Sequence, residues 1–335
     1  MCANQRRAVT DSIDKITRSL YEGLRPPERI TVSQWADKYR YLDSRQSTRA
    51  GQWKTDYTPY LREIMDSLSD DTCQEVIFLK GTQLGGTEAG NNWLGCTISH
   101  DPCPFMVVQP TSELGKRWSN TRLGPMIDTT QILSDRLSAD KSRDRANTIT
   151  YKEFPGGYIV VAGANSGASL RSMPAKPLLV DEVDEYPTDV DNQGDPADVV
   201  RNRTNTFGES CKIYIVSTPT TKDKSRIEPL YELRSDRRLY HVPCLKCDAY
   251  QPLEFVNLKW PSKQPKLAEF QCTNCSRMMR ELDKLNMLPQ GKWIARNPER
   301  AVRGYRLNSF YSPYGMLSWA SIAQEFVDAG KDPTK

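Results

Sequence analysis

No run of 18 apolar residues occurs in the 335-residue chain, which excludes a transmembrane helix and gives no reason to expect a membrane partner. The opening Met1-Cys2-Ala3-Asn4-Gln5-Arg6-Arg7 leads into polar sequence without the apolar centre of a signal peptide. Neither an internal repeat nor a low-complexity tract is present. Neither sign of charge dominates: 46 Lys and Arg against 42 Asp and Glu leave +4, which excludes a histone-like polycation. Charged residues are 26%, close to the globular average, so extensive disorder is not expected. The expected compartment is a reducing cytoplasm. At roughly 100–200 residues per domain the chain makes two units, or one large α/β unit with an appendage. It is long enough to bury a core without covalent staples.

The charge is unevenly placed. Asp181 to Asp198 holds eight acidic residues and no Lys or Arg, which leaves the remainder at +12. Such an island suits a metal–phosphate site on a polyanion-binding surface, and it suits an acidic surface loop equally well.

Nine cysteines are an odd number, and four of them form two Cys-x-x-Cys pairs, while Cys2, Cys73, Cys96, Cys103 and Cys211 are scattered. In a reducing compartment the pairs read as metal ligands, not disulfides. Cys244-Leu245-Lys246-Cys247 and Cys272-Thr273-Asn274-Cys275 are separated by 24 residues. Two such knuckles predict a tetrahedral zinc ribbon in which Cys244, Cys247, Cys272 and Cys275 fill every coordination position, leaving none for catalysis.

Residues 1–70 read as polar and helical. One amphipathic segment covers about Val9 to Leu24, with Ile13, Ile16, Leu20 and Leu24 at helical spacing, and Pro26-Pro27 ends it. A second starts after Thr31 as N-cap, and a third covers Tyr60 to Leu68. Between 75 and 220, apolar runs alternate with longer helical patterns, the rhythm of a parallel α/β sheet. The runs are Val76–Leu79, Phe105–Val108, Tyr158–Val161, Leu178–Val180 and Ile213–Val216. Ligands of open α/β sheets bind beyond the carboxyl ends of strands, so the residues after these runs are where chemistry is expected. Short strands, Pro and the Cys pairs replace this rhythm over 237–300. A strand at Tyr305–Asn308 and a helix over Trp319–Ala329 follow.

After the first run comes Lys80-Gly81-Thr82-Gln83-Leu84-Gly85-Gly86-Thr87-Glu88. A phosphate loop is usually Gly-x4-Gly-Lys-Ser/Thr. Here Gly85 and Thr87 fill the second glycine and the hydroxyl position, Gly86 stands where the lysine is usual, and Lys80 stands where the first glycine is usual. This displaced-lysine loop still meets the physical needs of phosphate binding. Glycines let backbone N–H groups converge on oxygens, and the helix from Thr87 to Ile98 adds positive potential at its start. Thr87 is positioned to ligate Mg²⁺, and Lys80 to reach the β/γ-phosphates. The run Lys176-Pro177-Leu178-Leu179-Val180 ends in Asp181-Glu182. It reads as a magnesium-binding strand, Asp181 holding the ion and Glu182 activating water. Val216-Ser217-Thr218-Pro219 ends the next strand, where Ser217 or Thr218 would sense the γ-phosphate or where Pro219 simply stops the strand. Gln109-Pro110-Thr111 either contacts nucleic-acid phosphate or caps the next helix. Arg171 either neutralises transition-state charge, within its own subunit or across to a neighbour, or is an ordinary surface arginine.

Together these motifs resemble the large terminase subunit of tailed phages, in its lambda-like, GpA-type branch. Trp35-Ala36-Asp37, Gly51-Gln52-Trp53, Thr58-Pro59-Tyr60, the displaced-lysine loop, Ser217-Thr218-Pro219, the Cys244–Cys275 ribbon and Tyr311-Ser312-Pro313-Tyr314 carry the resemblance. It implies a RecA-like P-loop (ASCE) ATPase, using ATP and Mg²⁺, that drives double-stranded DNA into a procapsid in the cytoplasm of an infected bacterial host. It implies a small terminase subunit and a portal as partners, and a homo-oligomeric ring on the portal. Lys80, Thr87, Asp181 and Glu182 match the family's ATPase positions. The family's nuclease domain is expected to be missing, since no three-carboxylate cluster follows residue 300. Leu61 stands where relatives can have Gln in an adenine-side motif, which leaves Tyr57 and Tyr60 as candidates for stacking on the base. The expected division is 1–70 helical segment, 71–236 ATPase core, 237–300 zinc-ribbon subdomain and 301–335 strand and helix returning to the core. Two rivals stand beside this reading: a helicase-like translocase, and a zinc-ribbon DNA-binding or scaffolding protein whose loop is vestigial, for which Gly86 is the best support.

Overall fold

The computed structural model describes residues 29–45, 47, 49–138, 147–221 and 224–330. The amphipathic segment expected over Val9–Leu24 lies outside them. The described residues from Thr31 onward belong to one compact unit.

A ten-stranded sheet organises this unit among the described residues. Its strands are β1 (Glu75–Lys80), β2 (Phe105–Gln109), β3 (Tyr151–Phe154), β4 (Gly157–Gly163), β5 (Pro177–Asp181), β6 (Lys212–Ser217), β7 (Arg238–Pro243), β8 (Tyr250–Pro252), β9 (Lys292–Ile294) and β10 (Arg303–Leu307). The spatial order is β8-β7-β10-β1-β6-β5-β2-β4-β3, with β9 pairing β7. From β7 to β4 every neighbouring pair is parallel, and β3, β8 and β9 add antiparallel edges. The fold is therefore mixed α/β with a large, mostly parallel sheet, as the alternating apolar runs predict.

β1, β2 and β5 are buried along their whole length, which is why their sequences are continuous apolar runs instead of alternating ones. Successive side chains still point to opposite faces. Ile77, Leu79, Met106, Val108, Leu178, Val180, Ile213 and Ile215 share one core. On the other face lies α3 (Gly86–His100), following α1 (Val32–Tyr39) and α2 (Leu61–Leu68) in the chain. Gly90 lets α3 approach closely: a Cβ there would stand 2.8 Å from Leu179 Cδ2. Gly95 does the same for Trp35 of α1, whose indole N–H donates to Ser99 Oγ at 2.8 Å. Thr31 caps α1 in a reciprocal box with Gln34. α4 (Ser112–Trp118) is capped by Thr111, whose hydroxyl accepts from Leu114 N at 3.2 Å.

The stretch 237–300 does not stand apart from the sheet. β7 runs parallel to β10, with Tyr305 opposite Arg238, and β8 and β9 pair β7. Only Leu258–Lys259, Glu269–Gln271 and Met278–Met279 form a separate three-stranded sheet. The final helix α5 (Trp319–Ala329) has the range read from the sequence. No helix among the described residues is long and apolar enough to cross a membrane.

Candidate active site

β1, β6 and β5 end side by side, and their last residues converge. The loop leaving β1 turns through two left-handed residues, Gln83 (φ 57°) and Gly85 (φ 79°), before α3 begins at Gly86. Glycine takes that conformation at Gly85 without steric cost. Gly86 is glycine for a different reason. A Cβ there would lie 2.6 Å from Val216 Cγ2 and 2.7 and 2.8 Å from Lys80 Cδ and Cε. The methylenes of Lys80 fill the place that a side chain at 86 would need.

Lys80 is buried and its Nζ emerges between strand ends, donating to Glu182 Oε1 at 2.8 Å and to Thr218 Oγ1 at 3.0 Å. Glu182 Oε2 accepts from Thr218 N at 3.1 Å and from Ser217 Oγ at 3.4 Å. Glu182 itself is left-handed, φ 51° and ψ 54°. A non-glycine residue held there is strained, and such strain persists only where the surroundings over-determine it. Beside it, Asp181 accepts from Thr87 Oγ1 at 3.1 Å and from Gln109 Nε2 at 2.9 Å.

Burial pushes the Asp181 carboxyl up from 3.8 to about 6; the Gln109 bond opposes this, the neighbouring Glu182 charge adds to it, and Lys80 and Thr87 oppose it. A carboxylate so placed is held ionised at neutral pH against its environment, a donor set that fits a divalent cation. Below about pH 4 Asp181 is neutral in both folded and unfolded chains; between about 4 and 6 only the folded chain holds the proton, so stability falls as pH rises through that window and stays lowered above it. Asp181→Asn is therefore expected to raise the stability of nucleotide-free protein at pH 7 by about 1–3 kcal/mol, with the gain shrinking towards pH 4. Urea unfolding of both proteins at pH 7 and pH 4.5 checks this, and an equal or lower stability of the variant at pH 7 contradicts it.

Other expected residues are placed differently. Leu84 is buried, while Thr82 and Gln83 are exposed on the loop. Glu88 turns away from the loop, bonding Arg40 at the end of α1 at 3.3 Å and Asn91 of its own helix at 3.2 Å, with Arg122 paired at 3.7 Å. Arg171 is exposed and bonds Gln193, not the acid pair. Tyr60 corrects the expectation of base stacking: its ring is fully buried and meets Tyr240 edge-on. Tyr57 does line a cavity of about 430 Å³ that also touches Leu61, Gln83 and Gly85. The guanidinium of Arg49 lies 3.2 Å from its ring centroid. Of Gln109-Pro110-Thr111, read as a cap or a phosphate contact, Thr111 is the cap, and Gln109 is the partner of Asp181; its signal was its place at the end of a strand neighbouring β5.

The four expected cysteines are together. Their sulfurs lie within 4.8 Å of one another, Cys244 to Cys275 at 3.7 Å and Cys247 to Cys272 at 3.8 Å. These separations exceed a disulfide bond and match the edge of a sulfur tetrahedron with metal–sulfur bonds of about 2.3 Å, which is about 3.8 Å. Asn274 Nδ2 donates to Cys247 Sγ at 3.5 Å. That bond is the largest cause lowering the Cys247 thiol to about 6, which favours the thiolate a metal requires.

Residues 47–293 match the model of the phage terminase large subunit gpA, ATPase domain. The chain is 25% identical to the terminase large subunit of Enterobacteria phage P21, over 92% of this chain and 51% of that protein. It is 24% identical to that of Escherichia phage lambda, over 81% of this chain and 44% of that protein. It thus spans about half the length of these relatives. The large terminase ATPase domain of Thermus phage P74-26 aligns over 47% of this chain and 64% of that one, at 15% identity and a TM-score of 0.33, too slight a likeness to bear on the fold.

Proposed function

The chain belongs to the phage terminase large subunit gpA ATPase family, and on that premise we propose that it hydrolyses ATP to drive double-stranded DNA into a procapsid. One observation carries the reading: Lys80, Glu182 and Thr218 bond one another beside the Thr87–Asp181 pair, although these residues come from three distant segments. The strand order supports a RecA-like phosphate-loop ATPase of the ASCE kind, since β6 lies between the loop strand β1 and the acid strand β5. The vestigial-loop rival loses its best support, because the space vacated at Gly86 is filled by the lysine displaced to position 80.

In this reading the amides of the loop and the start of α3 hold the phosphates. Lys80 leaves Glu182 and binds phosphate oxygen. Thr87 and Asp181 would hold Mg²⁺, which supplies charge neutralisation of the phosphates when bound. Freed of the lysine, Glu182 orients the attacking water and accepts its proton. Ser217 and Thr218, bonded to the same carboxylate, register the change and pass it along the loop after β6. Cys244, Cys247, Cys272 and Cys275 hold a structural zinc. A small terminase subunit, a portal and a ring of copies on the portal complete the proposed motor, which works in the cytoplasm of the infected host.

Lys80→Ala is expected to weaken ATP binding or turnover by at least about tenfold, the loss of one charge-assisted contact to phosphate. Phosphate release measured with and without DNA, at several ATP concentrations, checks it. Wild-type values for both KM and kcat would remove Lys80 from the site. Gly86→Lys alone is not expected to improve activity, because the new chain meets Lys80 and Val216.

A further inference from the structure

The turns that follow β5 and β6 hold each other by reciprocal bonds. Asp184 N donates to Ser217 Oγ at 3.2 Å, the hydroxyl that also donates to Glu182 Oε2. The Asp184 carboxylate reaches forward into the segment after β6. It accepts from Thr220 N at 2.8 Å, Thr220 Oγ1 at 3.2 Å, Arg226 N at 3.0 Å and Ile227 N at 2.8 Å. Arg226 reaches back: its guanidinium donates to Val183 O at 3.3 Å, Tyr186 O at 2.7 Å and Pro187 O at 2.6 Å, and pairs with Asp195 at 3.2 Å. Each turn thus supplies the other's missing partners. Carboxylate and guanidinium are spent mainly on backbone groups and not on each other, so neither turn shifts without breaking several bonds. The anchored backbone begins two residues after Glu182, whose left-handed conformation requires such restraint.

We propose that Asp184 and Arg226 form a clasp that positions the Glu182 carboxylate and ties its movement to the segment after Thr218. The inference rests on the ATPase reading above. Asp184 is a positioning residue: it acts on Glu182 through Ser217 and through the backbone of the two turns. A clasp of this kind makes a definite kinetic demand. Loosening it should misplace the base and slow the chemical step without weakening nucleotide binding.

The test uses the full chain with ATP and a phosphate-release readout. Asp184→Ala is expected to lower kcat by roughly 10- to 100-fold with KM changed less than about twofold. Arg226→Ala should do the same, and the double variant should be little worse than either single one, since both break one device. Adding Asp184→Ala to Glu182→Ala should leave the residual turnover unchanged, because the clasp acts through Glu182. If Asp184→Ala does not fold, Asp184→Asn serves: it keeps one acceptor oxygen and the side-chain volume, and should lose kcat less severely in the same pattern. A wild-type kcat in Asp184→Ala or, failing its folding, in Asp184→Asn overturns the clasp. So do KM and kcat that worsen together, or a further loss in the Glu182→Ala background. Normal turnover in Glu182→Ala alone would instead refute the underlying reading of the base.

Discussion

Glu182→Ala binds ATP and hydrolyses it about 10²–10⁴-fold more slowly than the parent, the expected loss of a positioned general base. Several features converge on this residue. Its carboxylate is presented at the end of β5 by a strained left-handed backbone, and three donors, from Lys80, Ser217 and Thr218, surround its two oxygens. Removing the carboxylate leaves the Lys80 ammonium with Thr218 Oγ1 as its remaining partner, so phosphate affinity is expected to hold or rise. Glu182→Gln separates the two roles of the side chain, because the amide keeps the shape and an acceptor oxygen but takes no proton. It should be nearly as slow as the alanine variant. Binding of a fluorescent nucleotide together with single-turnover phosphate release measures both quantities, and a wild-type rate in either variant would remove Glu182 as the base.

The second large effect concerns the four cysteines. A preparation made without chelators should carry close to one zinc per chain. Its removal should cost the ribbon on the order of 10 kcal/mol of folding free energy. The damage should not stay local. Thr273, between two of the ligands, donates through N and Oγ1 to Gln251 Oε1, both at 2.8 Å, and Gln251 belongs to β8 at the edge of the central sheet. Cys272→Ser should therefore lower the melting temperature of the whole unit, beyond loosening one hairpin. Elemental analysis and thermal melts with and without a chelator decide the matter. A zinc-free protein with an unchanged melt would rule out the ribbon.

Much of this was legible in the residues. A strand buried on both faces must be apolar throughout, so β1, β2, β4, β5 and β6 announce themselves as uninterrupted runs. The acid pair was legible because charges at the end of such a run stand out. What was hidden depends on partners distant in sequence. β3 carries Lys152 and Glu153 and pairs on an edge where alternation is weak. β7 lies just before the first cysteine pair, and that pair drew the boundary away from the sheet. Tyr60 starts an amphipathic helix, a position that suits a core ring and a stacking ring alike; only packing against Tyr240 decides. Gln109 and Asp184 are ordinary polar residues until the strand order sets β2 and β6 on either side of β5.

Consider where β10 lies. It comes late in the chain, at Arg303–Leu307, yet it lies inside the sheet between β7 and β1 and pairs with β1 through all five of its residues. During synthesis at roughly 5–20 residues per second, β1 therefore waits on the order of ten seconds or more for that neighbour. Until then one side of the lysine-bearing strand is an open edge on the nascent chain, able to recruit the wrong strand. Shortened messages ending before codon 303 should accordingly yield aggregates, even though they encode every residue assigned here to phosphate, magnesium and zinc.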